Sequence, residues 1–411
     1  MLNKRKRRLI FALLASCLFL TGIGGYFLIP RAQVTTGQAL TWLRGWLQPS
    51  GSLPAPIAAT TPLQEVVIRS ASEADPVKPT LIETVSTPEP LPASASLPSP
   101  AFDPNRDYQT WNNCGPATLA LALRFWGWVG DQNTISDVLK PEAQDKNVNI
   151  DELAWYVAQY LPNLQAEIRI GGDLASLKRF ITNGYPVLIE GAFQLEKPAW
   201  PGDDLWAAHY LLVTGYDEGA AQFTVQDSYY GPDRLVSFDQ LRNDWKAFNN
   251  VYMVIFPQTG LQQVQTLFGA DWQVSANQQN TIAEIQNQLA MNRNDVFAWF
   301  NLGSVLSALG DYPQAFDAFS MARQLGLPQR MLRYQFTPFD AAYKTGELSD
   351  LTQLVDYSLK ITPDSEESLF WKGRLLYESG NLPAAATLLH KALAMNPGNR
   401  DAIQLLSEIN P

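Results

Sequence analysis

An internal repeat in the C-terminal third of this 411-residue chain is the feature that most constrains its fold. Gly310, Gly346 and Gly380 follow one another at intervals of 36 and 34 residues, and apolar residues at helical spacing follow each of them. A period of this length indicates helix pairs that stack into one elongated core. We therefore expect an all-α domain over residues 259–411. Its expected parts are three helix pairs between 296 and 399, one helix before them at 281–291, and a closing helix at 400–409.

The repeat units resemble tetratricopeptide repeats. One unit has Trp299, Leu302 and Gly303 ahead of Gly310, and a second has Gly373 ahead of Gly380. The resemblance implies a groove that binds a peptide or a partner protein. The alternative is that the repeats only act as a spacer or as a brace for the rest of the chain.

The charge balance and the scarcity of Cys and His exclude several classes of function. Lys and Arg total 30 and Asp and Glu total 40, but five basic residues lie in the first eight positions, so the other 403 residues carry 40 acidic and 25 basic side chains. A body this acidic argues against nucleic-acid binding. With only Cys17, Cys114, His209 and His390, neither a disulfide framework nor a Cys/His zinc cluster can form.

The N-terminus predicts a membrane anchor. Residues 2–8 (LNKRKRR) precede a segment without any charge at 9–29, which is long enough to cross a bilayer as a helix. By the positive-inside rule, residues 1–8 lie in the cytoplasm and both later domains lie outside it, in a single-pass protein of the cell membrane with residues 1–30 as stub and transmembrane helix. The alternatives are a cleaved signal peptide and a lipoprotein modified at Cys17.

Residues 31–105 are rich in Pro, Ser, Ala and Thr, and five Pro occur between 86 and 100. Such a composition predicts an extended stalk. Within it, Leu40, Leu43 and Leu47 lie near one face of a potential helix, with Trp42 beside them. This segment is either a short helix in the membrane interface or a juxtamembrane stretch without regular structure.

Residues 106–258 contain the candidate catalytic residues. Cys114-Gly115-Pro116 opens an apolar run, which predicts a buried helix with Cys114 at its N-terminus. The free N–H groups and the dipole of a helix N-terminus stabilise a thiolate. The alternative is a buried, unreactive Cys.

The segment from Gln109 through Cys114-Gly115-Pro116-Ala117 resembles the papain-like cysteine peptidases of the bacteriocin-leader-processing, or double-glycine, type. The resemblance implies an α+β papain-like domain in which Cys114 is the nucleophile and Gln109 donates to the oxyanion. It also implies a His and an Asp from later strands.

The later strands supply one suitable His and one suitable Asp. His209, Val213, Gly215, Tyr216 and then Asp227 match the family pattern, although Ser228 stands where Pro is common. The match implies that His209 is the general base and that Asp227 orients it. A purely structural His209 is the alternative, and Asp217 is the rival to Asp227. The expected elements are helices at 151–160 and 173–183, and strands at 186–193, 206–216, 222–226 and 251–256.

These observations predict a membrane-anchored, extracytoplasmic cysteine peptidase for a protein or peptide substrate, in which Cys114, His209, Asp227 and Gln109 form the site and no cofactor is required. The Trp-rich loop at 198–206 either forms a wall of the substrate groove or is a plain surface loop. Two other functions stay open. One is a non-enzymatic surface scaffold, and the other is an amidase or acyltransferase with the same residues.

Overall fold

The computed structural model describes residues 30–47, 51–57, 90–142 and 147–409. Among these residues, no helix combines the length and the apolar composition that crossing a bilayer requires. The predicted transmembrane segment at 9–29 lies outside the described residues, as does 58–89 of the predicted stalk.

A sheet domain, residues 90–272, comes first after the N-terminal helix α1 (Pro30–Leu47). Its strands are β1 (Ser94–Ser96), β2 (Leu164–Arg169), β3 (Val187–Gln194), β4 (Trp206–Asp217), β5 (Gln222–Asp227), β6 (Gly231–Ser237) and β7 (Tyr252–Pro257). Its helices are α2 (Cys114–Arg124), α3 (Gln132–Leu139), α4 (Ile150–Tyr160), α5 (Leu174–Thr182), α6 (Phe238–Trp245) and α7 (Leu261–Phe268).

The strands form one antiparallel sheet in the order β2-β7-β3-β4-β5-β6, and β1 pairs with the end of β4. Helices cover both faces. Leu188 of β3 packs with α2, α3 and α4, whereas its neighbours Val187 and Ile189 pack with α5, α6 and α7. Since successive side chains of a strand point to opposite faces, one short apolar run serves both halves of the core. The predicted α+β class of this domain is confirmed.

The sheet domain extends beyond two of the predicted domain boundaries. The stalk was expected to continue to residue 105, but β1 pairs with β4 in the register Ala95 to Tyr216, because its backbone completes the end of β4 that β3 leaves uncovered. The helical domain was expected from residue 259, but α7 buries Val264 and Phe268 in the core of the sheet domain. Residues 51–57 also contact folded structure, since Arg323 Nε donates to the Pro54 carbonyl at 3.1 Å.

The helical domain, residues 274–409, consists of stacked helix pairs. Its helices are α8 (Val274–Met291), α9 (Val296–Ala308), α10 (Tyr312–Leu325), α11 (Thr337–Lys344), α12 (Leu348–Ile361), α13 (Glu366–Glu378), α14 (Leu382–Met395) and α15 (Arg400–Ile409). Gly310, Gly346 and Gly380 turn the chain between the helices of each pair with φ of +82°, +80° and +79°. The repeat prediction is confirmed, although the helix expected at 281–291 already begins at Val274.

The helical domain packs against the sheet domain along its length. Both terminal nitrogens of Arg330 bind the Asp203 carboxylate at 2.6 Å, and the guanidinium lies 4.1 Å from the Trp200 ring centre. Near the other end of the array, Asn396 Nδ2 donates to Glu152 Oε1 at 2.7 Å. The loop predicted as either groove wall or surface loop, 198–206, is therefore also one of the contacts between the domains.

Candidate active site

Helix α2, which contains Cys114, packs directly against strand β4. Cys114 is the first residue of α2, and Thr118 Oγ1 in the next turn donates to the Tyr210 carbonyl of β4 at 3.3 Å. A Cβ at Gly115 would lie 3.3 Å from the Tyr210 ring, so glycine at this position permits the close approach of helix and strand. Gly115 thereby allows the Cys114 thiol to lie close to β4.

His209 lies near the start of β4, beside Cys114. Its Nε2 is 2.8 Å from Asp227 Oδ1 at the end of β5. His209 and Cys114 line the same cavity, and the imidazole is near enough to lower the pKa of the thiol. Because Nε2 meets the carboxylate, Nδ1 is the nitrogen that remains available to the sulfur. His209 and Asp227 are both buried, with Asp227 completely shielded from solvent.

The Asp227 carboxylate is held by a turn and by an arginine. The backbone N–H groups of Tyr229 and Tyr230 donate to Oδ1 at 2.7 and 3.1 Å, and Arg234 Nη1 donates to Oδ2 at 2.5 Å. A buried carboxylate needs such partners, because they stabilise its negative charge and fix its orientation. Sequence reasoning did not identify Arg234.

These contacts shift the pKa values of Cys114, His209 and Asp227 so that each side chain favours its charged form. Burial alone would raise the pKa of the Cys114 thiol, but the hydrogen bond and charge of His209 outweigh it, so the pKa falls below its ordinary value. Burial also disfavours the charged form of His209. The charge and hydrogen bond of Asp227, together with those of Cys114, nevertheless raise the pKa of His209 to about 10. Despite burial, the charge and hydrogen bond of His209 hold the pKa of Asp227 far below its usual range. The three groups thus favour a thiolate, an imidazolium and a carboxylate.

A buried carboxyl group lies close to this cluster. Glu190 of β3 is opposite Tyr210, and burial, followed by the charge of Cys114, raises the pKa of Glu190 well above its ordinary value. This shift favours the neutral form of Glu190, which adds no negative charge beside the thiolate. Sequence reasoning did not identify it, since an isolated Glu in a strand has no distinguishing pattern.

Gln109 is fixed by the residue after Asp227. The Gln109 backbone N–H donates to the Ser228 carbonyl at 2.8 Å, and Ser228 Oγ donates to Gln109 Oε1 at 3.0 Å. This contact occupies the carbonyl end of the side-chain amide and leaves Nε2 as its donor end. Ser228 stands at the position where the resembled family commonly has Pro, which could not make this hydrogen bond.

A second glutamine clamps the loop that contains Gln109. Gln132 Nε2 donates to the carbonyls of Arg106 and Tyr108 at 2.8 and 2.7 Å. Its Oε1 accepts from the backbone N–H of Thr110 and from Asn113 Nδ2, both at 2.9 Å. This side chain supplies the partners that an irregular buried loop lacks. No sequence signal marked Gln132.

The site opens into a cleft of about 470 Å³. Three separate parts of the chain line it: Gln38 and Trp42 of α1, Cys114 and His209 of the sheet domain, and Tyr334 of the helical domain. Pro198 and Ala199 line it as well, so the 198–206 loop does form a wall of the groove.

All four predicted site residues therefore lie together, while Asp217 and His390 lie elsewhere. Asp217 is exposed and accepts from the Ala220 backbone N–H at 3.0 Å in the turn between β4 and β5. His390 lies on the exposed surface of α14.

The sheet domain has the papain-like fold of C39-like cysteine peptidases, joined here to tetratricopeptide-like repeats. Residues 101–253 match the model of the Peptidase_C39 like family, so the sheet domain is of the C39-like type by family and fold.

Several solved structures are similar at low identity. A putative C39-like peptidase from Bacillus anthracis has 16% identity and a TM-score of 0.28, over 36% of this chain and 90% of its own. Xylellain, a cysteine protease from Xylella fastidiosa, has 14% identity and a TM-score of 0.30, over 44% and 94%. YrrB, a TPR protein with an unusual peptide-binding site, has 18% identity and a TM-score of 0.28, over 34% and 75%. No curated protein sequence matches the chain.

Proposed function

We propose that this chain is a membrane-anchored cysteine peptidase that cleaves a protein or peptide outside the cytoplasm. The observation that carries the proposal is the buried grouping of the Cys114 thiol, His209 and the Asp227 carboxylate, in which His209 is bonded to Asp227 and lowers the pKa of Cys114. A nucleophile beside a base that a third group orients is the signature of nucleophilic catalysis. Cys114 is the nucleophile, His209 the general acid and base, Asp227 its orienting partner, and Gln109 the oxyanion donor.

Acylation follows from these positions. The Cys114 thiolate attacks the carbonyl carbon of the scissile bond, and the carbonyl oxygen becomes an oxyanion that the Cys114 N–H and Gln109 Nε2 stabilise. One such donor contributes about 2.7–4 kcal/mol in the transition state. When the intermediate collapses, the C–N bond breaks and the His209 Nδ1 proton passes to the departing amine, which leaves a thioester on the sulfur.

Deacylation uses the same groups in the opposite order. His209 Nδ1 accepts a proton from water as the oxygen attacks the thioester carbon. The C–S bond then breaks, the carboxylic acid departs, and the thiolate and imidazolium return. Asp227 keeps Nδ1 directed at the sulfur throughout, because its own charge is fixed by Arg234 and two backbone N–H groups.

The repeats have two roles in this proposal. They support the cleft, since the buried pair of Arg330 with Asp203 holds the 198–206 loop that lines it. The remaining repeat surface is the groove that recruits a substrate or partner protein. The proposed anchor is the uncharged segment at 9–29, which follows a basic N-terminus. By the positive-inside rule, this order of basic and uncharged residues places both domains outside the cytoplasm.

A peptide-library assay tests the proposed reaction. The full chain in detergent is incubated with a mixture of synthetic peptides, and the products are identified by mass spectrometry. We expect cleavage by the wild type and by His390→Ala, but none by His209→Ala or Cys114→Ala. Cleavage that persists in Cys114→Ala would contradict the mechanism. Hydroxylamine in a parallel reaction separates transfer from hydrolysis, because a transferase gives hydroxamates in preference to free acids.

The topology is tested in sealed vesicles of known sidedness. External protease should digest both folded domains in right-side-out vesicles and spare them in inside-out vesicles. The reverse pattern would contradict extracytoplasmic action without bearing on the chemistry of the site.

A further inference from the structure

Helix α1 has one face that packs against the sheet domain. Gly37 lies against the Trp111 ring so closely that a Cβ there would collide with it, and a Cβ at Gly45 would lie 2.5 Å from the Trp200 side chain. Thr41, between them in the same row, lines the active-site cleft. Residues spaced by four lie on one face of a helix, so this glycine row is the face that docks.

A second face of α1 is apolar and exposed. Leu40, Leu43 and Leu47 are 60%, 48% and 64% exposed. At 100° per residue they occupy a stripe about 60° wide, whose centre lies roughly 130° around the helix from the centre of the glycine row. Three exposed leucines in one stripe form a surface that water does not favour, and no other described residue covers it.

We propose that this leucine stripe (Leu40, Leu43 and Leu47) lies in the headgroup region of the lipid bilayer, so that the peptidase cleft opens at the membrane surface. The inference rests on the proposed anchor. Helix α1 begins at Pro30, immediately after the uncharged segment at 9–29, so the bilayer is the apolar phase closest to the stripe.

The placement of α1 restricts the substrate. The same helix lines the Cys114 cleft on one side and meets the bilayer on the other, so about one helix diameter, roughly 10 Å, separates the cleft from the membrane surface. An extended chain covers that distance in about three residues. The substrate class is therefore a polypeptide that is itself held in the membrane and is cut a few residues from its membrane-bound part.

Spin-label depth measurements test the docking surface. Single cysteines replace Leu40, Leu43 and Leu47 in the full chain with Cys17→Ser and Cys114→Ala. Val129, which is 87% exposed in the sheet domain, provides a matched control site for labelling. Each labelled protein is reconstituted into vesicles of phosphatidylethanolamine and phosphatidylglycerol, and its collisions with oxygen and with a water-soluble nickel complex are compared.

We expect the three stripe labels to collide mainly with oxygen and the Val129 label mainly with nickel. Nickel-accessible labels at all four sites would overturn the proposal. A second copy of the chain on the stripe would give a different result. The label at Leu43 would then show dipolar broadening that disappears on dilution with unlabelled chain, and it would not be exposed to oxygen. That result would also overturn the proposal. Resistance of the chain to alkaline extraction reports the anchor separately, so failure of the anchor and failure of the stripe are distinguishable.

A spacer series tests the substrate class in the active full chain. A palmitoyl group is joined to a thiol-directed peptide probe through spacers of increasing length. Labelling of Cys114 should already be strong at spacers of roughly 10 Å and should exceed labelling by the same probe without lipid. Labelling that needs spacers several times longer would overturn the membrane-proximal cleft, while labelling by the lipid-free probe keeps the peptidase proposal intact.

Discussion

Replacing Ser228 with Ala should weaken the oxyanion site without displacing it. The substitution removes the 3.0 Å hydrogen bond to Gln109 Oε1, but the backbone bond from Gln109 to the Ser228 carbonyl stays. A buried neutral hydrogen bond contributes about 0.5–1.5 kcal/mol. If all of this is lost in the transition state, acylation slows roughly two- to tenfold at 1.36 kcal/mol per factor of ten.

Two reagents separate this effect from general damage. Acylation of Cys114 by p-nitrophenyl acetate passes through an oxyanion, whereas alkylation by iodoacetamide does not. We expect Ser228→Ala to slow acylation and leave alkylation unchanged, in a Cys17→Ser background. Gln109→Ala gives the upper limit, since loss of one oxyanion donor costs about 10²–10³-fold. Equal slowing of both reactions, or an undiminished effect of Ser228→Ala in the Gln109→Ala background, would refute the reasoning.

Two further predictions concern the helical domain. Arg330→Met should lower the free energy of unfolding by about 3–5 kcal/mol, because it leaves the buried Asp203 carboxylate without its partner. Guanidinium unfolding measures this, and Asp203→Leu in the same chain should restore much of the loss; no recovery would argue against the pair. Gly303→Ala should destabilise by about 1–3 kcal/mol despite the better helix propensity of Ala, since its Cβ would lie 2.7 Å from the Phe319 ring. A thermal melt that shows a higher transition temperature would contradict this packing.

Local patterns in the sequence were sufficient to predict much of the site. The apolar run after Cys114 predicts a buried helix, and the short apolar run around His209 predicts a strand, because both signals depend on neighbours within one element. Asp227, the last residue of β5, is likewise fixed by the local turn. The repeat was predictable for the same reason, since each unit repeats its own periodicity.

The supporting contacts were not predictable because they join distant residues. Ser228 meets Gln109 across 119 positions, and Arg330 meets Asp203 across 127. Gln132 bonds the loop before α2 only once α3 has packed beside it. Strand β1 is three residues long in a Pro-rich segment and is defined by pairing with β4, not by its own composition. In each case tertiary packing, which composition does not encode locally, decides the structure.

The pH dependence of Cys114 alkylation tests the central claim most directly. The lowered pKa of Cys114 extends the thiolate to lower pH than in free cysteine, and the pKa of about 10 for His209 keeps the imidazolium beside it. In the Cys17→Ser chain, we therefore predict that the iodoacetamide rate reaches its plateau at a lower pH than the rate of a free thiol, which has a pKa of ~8.5 and reacts about tenfold more slowly per unit below it. His209→Ala should restore that steep profile and His390→Ala should not. A wild-type rate that rises through about pH 8.5 like that of free cysteine would contradict the thiolate–imidazolium pair.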